Sequence, residues 1–196
     1  MAHSPQTTDL CDARDDVQAC AVLFQSYGLR RAFTGPMRTL RCFEDIGLMR
    51  DTLSQAGHGQ VLVIDGGGSI VRALFGDVMA EVASRNGWAG LVIHGVVRDA
   101  DELNAMAIGV KALGTVPQRG SRTGAGERDV PLHFGGITFT PGDHLVADAD
   151  GVIVLPSGTT AADINVANVV AATAAYAAGT PATAAGVTTP RTTTPT

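Results

Sequence analysis

Residues 61–103 read VLVIDGGGSIVRALFGDVMAEVASRNGWAGLVIHGVVRDADEL, and the rest of the chain is arranged around them. Val61 to Ile64 is a continuous apolar, β-branched run of the kind that forms a buried strand. Gly66, Gly67 and Gly68 end it, because three glycines cost a strand too much conformational entropy. A helical pattern follows from Asp77 to Arg85, with Val78, Met79 and Val82 on one side, and Asn86-Gly87 stops it. Leu91 to Ile93 is a second apolar strand, running out into Gly95, Val96, Val97, Arg98 and Asp99.

This order brings three chemical features together. Gly76, Asp77, Val78 and Met79 sit where a helix begins, and unpaired backbone N–H groups there favour a carboxylate or phosphate. Arg98 follows the carboxyl end of the next strand, the edge at which α/β folds bind ligands. Its guanidinium suits a two-point grip on a planar carboxylate. Asp99 adds a hard oxygen suited to Mg²⁺ or Mn²⁺. Taken singly, each has a plainer reading: the glycines as a tight turn, Asp77 as a helix cap, Arg98-Asp99 as a solvated pair. Their combination in one strand-loop-helix-strand unit carries the argument.

The stretch resembles the family of the regulator of ribonuclease activity A and 4-hydroxy-4-methyl-2-oxoglutarate aldolase. The matching residues are Asp65-Gly66-Gly67-Gly68-Ser69, Ala73-Leu74 with Gly76-Asp77, Gly87-Trp88-Ala89-Gly90, Gly95 with Val97-Arg98-Asp99, and Phe134-Gly135-Gly136 with Pro141-Gly142-Asp143. The resemblance implies an α/β fold, a single swivelling β/β/α domain with a mixed central sheet, assembled as a homotrimer or a pair of trimers. It also implies a class II pyruvate aldolase that uses a divalent metal cation, Mg²⁺ or Mn²⁺. The reaction is retro-aldol cleavage of 4-hydroxy-4-methyl-2-oxoglutarate to pyruvate, accompanied by oxaloacetate decarboxylation. Gly76, Asp77, Val78, Met79 and Arg98 would bind the 2-oxo acid, Asp99 would hold the metal, and Arg98 and Asp77 would serve catalysis, Asp77 by ordering a metal-bound water as base. The rival class is a non-catalytic regulator that binds and inhibits ribonuclease E; Cys42-Phe43-Glu44-Asp45 resembles that branch. That branch tends to lose the metal aspartate, whereas Asp99 is present here. Larger aldolases of the family use an acid from a neighbour's C-terminal extension, and here Asp163 is the only acid after Asp150.

Composition narrows the classes. The chain has 196 residues, 45% hydrophobic and 17% charged, with a net charge of −5. That suits one globular domain and argues against direct nucleic-acid binding. Arg30, Arg31, Arg38 and Arg41 form a loose basic cluster that reads as a solvated face. Cys11, Cys20 and Cys42 have no zinc spacing and read as reduced thiols, which with the absence of an apolar leader or membrane span points to the cytoplasm. Lys111, the only lysine, lies in a strand-like segment away from the motif, which makes a Schiff-base mechanism unattractive. The Gly66-Gly67-Gly68 run lacks the third glycine of a dinucleotide-binding fingerprint, since Val71 stands there.

In order, residues 1–8 read as a flexible N-terminus, 9–156 as the α/β domain, and 157–196 as an Ala/Thr/Pro-rich tail with a helix at 163–178 followed by disorder. A first helix is expected from Thr8 or Asp9 to Tyr27, with Val17, Ala21 and Phe24 as its apolar face. A strand at Met37 to Phe43 and a helix beginning at Glu44 or Asp45 follow. A helix from Asp101 to Ala107 and a strand from Val110 to Val116 come next. Residues 117–128 are polar and Gly-rich, and read as a mobile surface loop that covers the site or meets a neighbouring subunit. Short strands are expected at Val130 to Leu132, Ile137 to Phe139, Leu145 to Ala147 and Val152 to Leu155, the last two joined by a turn at Asp150-Gly151. His58, His94, His133 and His144 show no paired metal spacing, and His94 reads as a strand residue satisfied by a neighbour.

Overall fold

The computed structural model describes residues 6–160 and 162–164. The elements are α1 (Thr7–Ala13), β1 (Gln18–Ala19), β2 (Gln25–Tyr27), β3 (Phe33–Arg41), α2 (Gly47–Leu53), β4 (Val61–Asp65), β5 (Ala73–Phe75), α3 (Asp77–Arg85), β6 (Gly90–Val97), α4 (Ala100–Asn104), β7 (Val110–Thr115), β8 (Glu127–Arg128), β9 (Leu132–Phe134), β10 (Ile137–Phe139), β11 (His144–Ala147) and β12 (Val152–Leu155). One mixed sheet runs in the order β1-β12-β11-β3-β4-β6-β7-β2, with β5 added to β6 and β8 to β3. The central strands β3, β4, β6 and β7 are parallel, and the flanks are antiparallel.

Period-two alternation explains the layers. On β4, Leu62 and Ile64 face a core with Met49, Leu53, Ala80, Ala83 and Leu103 of the helices. Val61 and Val63 face the opposite core, closed by Leu132, Phe134 and Phe139 of the β9–β10 hairpin. The result is a helical layer, a curled sheet and a β layer, the β/β/α arrangement expected for a single domain. Each fully buried Leu or Ile in these cores contributes about 1.5–3 kcal/mol.

The long β3 makes the curl. Its first half pairs antiparallel with β11, and Met37 to Arg41 pair parallel with β4. Arg38 and Arg41 do point outward, but they are paired rather than merely solvated. Arg38 donates to both carboxylate oxygens of Asp129 at 3.0 and 2.8 Å, and Arg41 pairs with Glu127 at 2.8 Å.

The expected helix to Tyr27 is corrected. It stops at Ala13, and Arg14 is extended. Asp15 and Asp16 would have opposed the dipole at a helix C-terminus. Beyond them Cys20, Val22 and Phe24 pack on the β-side core at a spacing of two, not 3.6. The segment supplies β1 to β12 and β2 to β7 instead. Thr7 is anchored by its backbone N–H and hydroxyl to Asp148 at 2.6 and 2.8 Å. The β11–β12 hairpin turns at Asp150-Gly151 as expected, with Ala147 opposite Val152. The proposed helix at 163–178 lies almost wholly outside the described residues. Among the described residues no helix is long and apolar enough to cross a membrane.

Candidate active site

Three parallel strands end at one edge, and their following segments build a cavity of about 120 Å³. Gly76, Asp77, Val78 and Met79 line it from the start of α3, and Arg98 and Asp99 from the end of β6. The short β5, which sequence periodicity did not reveal, brings the two together by pairing parallel with β6. The Arg98 N–H donates to Phe75 O at 2.9 Å and locks the segments.

Each plain reading also has its counterpart. Gly67 and Gly68 turn at φ +66° and +68°. The Val78 N–H donates to Asp77 Oδ1 at 2.6 Å, so that amide is not free for a ligand. The Asp77 and Met79 amides, in the first turn of α3, remain donors without an intrahelical partner. Arg98 donates through Nε to Asp99 Oδ2 at 2.9 Å. The side edge of the guanidinium is therefore taken, and its two terminal amino groups are left for an end-on grip.

Asp99 adopts a left-handed backbone conformation, φ 56° and ψ 49°, and Leu103 N–H donates to its carbonyl at 2.9 Å. Asp tolerates this conformation better than most residues. The turn aims Asp99 back over Gly76 rather than along the strand. Asp77 and Asp99 are the carboxylates lining the cavity, and among the described residues no three His, Cys, Asp or Glu side chains gather as a metal cluster. One or two carboxylates completed by water and substrate oxygens is a donor set Mg²⁺ accepts, so these residues fit such an ion.

Three further cations line the cavity: Arg50 from α2, and Arg119 and Arg122 from the loop after β7. Sequence reasoning missed them as site residues. That loop lies over the site, as one of its two expected roles requires, and is tied down by hydrogen bonds. Ala73 N–H donates to Gln118 O at 2.7 Å and Gly120 N–H to Ala73 O at 3.0 Å. Asp45, 2% exposed, accepts from Ser121 Oγ, Thr123 Oγ1 and the backbone N–H groups of Gly47, Thr123 and Gly124. Burial pushes the Asp45 carboxyl up, but these hydrogen bonds, led by Ser121 and Thr123, outweigh it and hold the group well below the carboxylate range.

The remaining candidates lie elsewhere. His94 Nδ1 sits 3.1 Å from Asp65 Oδ1, and its ring stacks on Phe134 at 4.5 Å. It is satisfied by neighbours, as expected. Lys111 is 1% exposed and donates to Ser26 Oγ at 2.7 Å and to Asp148 O, away from the cavity.

Comparison with known proteins agrees with this architecture. The RraA-like family model, Aldolase/RraA, matches residues 7–154. An S-adenosylmethionine:2-dimethylmenaquinone methyltransferase structure from Geobacillus kaustophilus is 48% identical, covering 78% of this chain and 95% of its own, with a TM-score of 0.76. The RNA-processing inhibitor RraA from Thermus thermophilus is 45% identical over 81% of this chain and 97% of its own, TM-score 0.78. Streptomyces coelicolor RraAS2, an unusual member of the RNase ES inhibitor RraA family, is 27% identical over 82% and 80%, TM-score 0.62.

Proposed function

Because the chain belongs to the RraA-like, Aldolase/RraA family, we propose that it is a carbon–carbon lyase cleaving 4-hydroxy-4-methyl-2-oxoglutarate to two pyruvates, with oxaloacetate decarboxylation as a companion reaction. The observation that carries this reading is the meeting of Arg98, Asp99 and the first turn of α3 around one cavity. The substrate carboxylate is held end-on by the terminal amino groups of Arg98 and by the Asp77 and Met79 amides. Asp99, with Asp77 beside it, is the carboxylate for a divalent cation such as Mg²⁺ or Mn²⁺, which when bound supplies a Lewis acid for the 2-oxo group.

In the reaction the C3–C4 bond breaks. The C4 hydroxyl gives up its proton, C4 becomes the ketone of one pyruvate, and the bonding pair moves to C3 as the enolate of the other. Protonation at C3 completes the second pyruvate. Loss of carbon dioxide from oxaloacetate leaves the same enolate. Asp77 Oδ1 is engaged by Val78, so Oδ2 orders the water that takes the hydroxyl proton. Arg98 keeps positive potential where the enolate charge develops. Arg98→Lys loses the two-point grip and lowers turnover roughly a hundredfold; near-normal turnover contradicts the role.

The 45% identity to an RNA-processing inhibitor supports a second reading, a cytoplasmic trimeric regulator that binds ribonuclease E. Asp99 and the cavity favour the lyase. A folded protein without lyase activity that binds ribonuclease E would reverse that preference.

A further inference from the structure

Lys111 has no part in the mechanism, yet it is the chain's only lysine and is 1% exposed. Lysine is almost never fully buried unless an opposite charge pairs with it. Among the described residues no carboxylate forms an ion pair with Lys111. Strand alternation sets where it points. Val110 and Ala112 face the helical-side core, while Lys111 lies beside Val92 on the β-side face. From there its amine donates to Ser26 Oγ at 2.7 Å and to the Asp148 carbonyl. Ser26 is on β2, at one end of the sheet, and Asp148 follows β11, near the other end. Lys111 thus bridges the seam left open by the curl. Asp148 extends the bridge to the start of the chain. Its carboxylate accepts from the Thr7 N–H and hydroxyl and from the N–H groups of Asp150 and Gly151. Thr7 begins α1, whose Leu10 packs with Val146, Ile153 and Leu155 of the β11–β12 hairpin.

We propose that Lys111, Ser26 and Asp148 form a clasp that closes the seam and secures α1, and that a proton taken up by the Lys111 amine loosens it. An uncharged amine has two N–H groups, and the clasp offers it two acceptors. An ammonium brings a third N–H and a full charge, with neither a third acceptor nor a paired carboxylate among the described residues. The charged groups around it are Asp148 and Asp150 of the hairpin turn and Arg31 after β2, whose guanidinium donates to the Ser26 carbonyl. Burial is the largest influence and pushes the Lys111 amine below its ordinary value; the two acids oppose that and Arg31 adds to it. Once opened to water the amine regains the ordinary value, so the open state binds protons more readily. The clasp is therefore tight above the ordinary 10.5, loosens as pH falls toward the folded value, and changes no further below it.

The test uses the full chain isotope-labelled at the lysine Cε, in which Lys111 gives the one lysine side-chain resonance. Its titration midpoint is expected below 10.5. Hydrogen exchange of the Thr7–Ala13 amides is then compared, at matched pH, between the wild type and Lys111→Met, which fills the same space and does not titrate. Should that variant fail to fold, Lys111→Gln replaces it, since its amide keeps two N–H donors. From 10.5 down to the midpoint, exchange in the wild type relative to the variant should quicken by up to about tenfold per pH unit, and then level off. The melting temperature of the wild type relative to the variant should fall over the same interval. A midpoint at or above 10.5 overturns the clasp. So does an exchange ratio that stays constant across the interval, which is what a merely structural lysine would give.

Discussion

Asp99 lies hard against Gly76: a Cβ placed on Gly76 would stand 2.4 Å from Asp99 Oδ2 and 3.0 Å from Arg98 Cγ. The Gly76 backbone is extended, φ −162°, so glycine is required there for space and not for conformational freedom. The start of α3 and the end of β6 can share one cavity only because residue 76 has no side chain.

Gly76→Ala therefore acts on the site and little on the fold. The methyl displaces Asp99 and Arg98 by about 1 Å, which costs roughly a hundredfold in turnover. Stability should change by no more than about 1 kcal/mol. Thermal melts and pyruvate-release rates on the same preparation check this; full activity in Gly76→Ala would show that Asp99 need not sit where it does.

Asp45 gives a prediction with a sign. Its folded carboxyl is held below the ordinary 3.8. The stability this contributes is fully present above that value and is lost as pH falls through the folded one. Asp45→Ala strips the acceptor from five hydrogen bonds and should cost roughly 3 kcal/mol, about 6–12 °C in melting temperature. The gap between wild type and Asp45→Asn should be constant above about pH 5 and narrow as pH falls below about 4. Limited proteolysis should nick residues 118–126 faster in either variant. A gap that widens in acid contradicts the assignment.

The Asp77–Arg85 helix and most central strands were legible because their apolar periodicity is strong and local. The meeting of Gly76 with Asp99 was legible only as an expectation, since β5 is three residues long and its partner is far along the chain. The first helix was overextended because Val17, Ala21 and Phe24 fit a helical wheel, while the alternation of Cys20, Val22 and Phe24 was the truer signal. Residues 117–128 read as a mobile surface loop because a Gly-rich polar stretch carries no periodicity. What fixes it is a single buried acid about 75 residues earlier, Asp45 against Ser121.

Lys111 should be idle in catalysis. Burial pushes its ammonium down from the ordinary value, a property shared with Schiff-base lysines, but it is 1% exposed and does not line the cavity. Borohydride reduction with pyruvate should leave the mass of the protein unchanged. A pyruvyl adduct on Lys111 would overturn the metal-dependent reading.

Cys42 should resist modification. Its thiol is pushed up to about 12, chiefly by burial and then by Asp45 and Asp65, so little thiolate exists near neutrality. Cys11 is exposed and should react first with a thiol reagent at about pH 8, with Cys42 labelled only after unfolding. Prompt labelling of Cys42 in the native protein would mean that the α2 side of the core is open.

The most direct test of the central claim is pyruvate release from 4-hydroxy-4-methyl-2-oxoglutarate and from oxaloacetate, with Mg²⁺ or Mn²⁺, after chelation, and in Asp99→Asn. Asn is chosen because it keeps the left-handed backbone at φ 56° while removing the charge. The account predicts release that chelation abolishes, that added metal restores, and that falls at least about a hundredfold in a normally folded Asp99→Asn. Release no faster than metal alone from a folded wild type, or undiminished in Asp99→Asn, contradicts it.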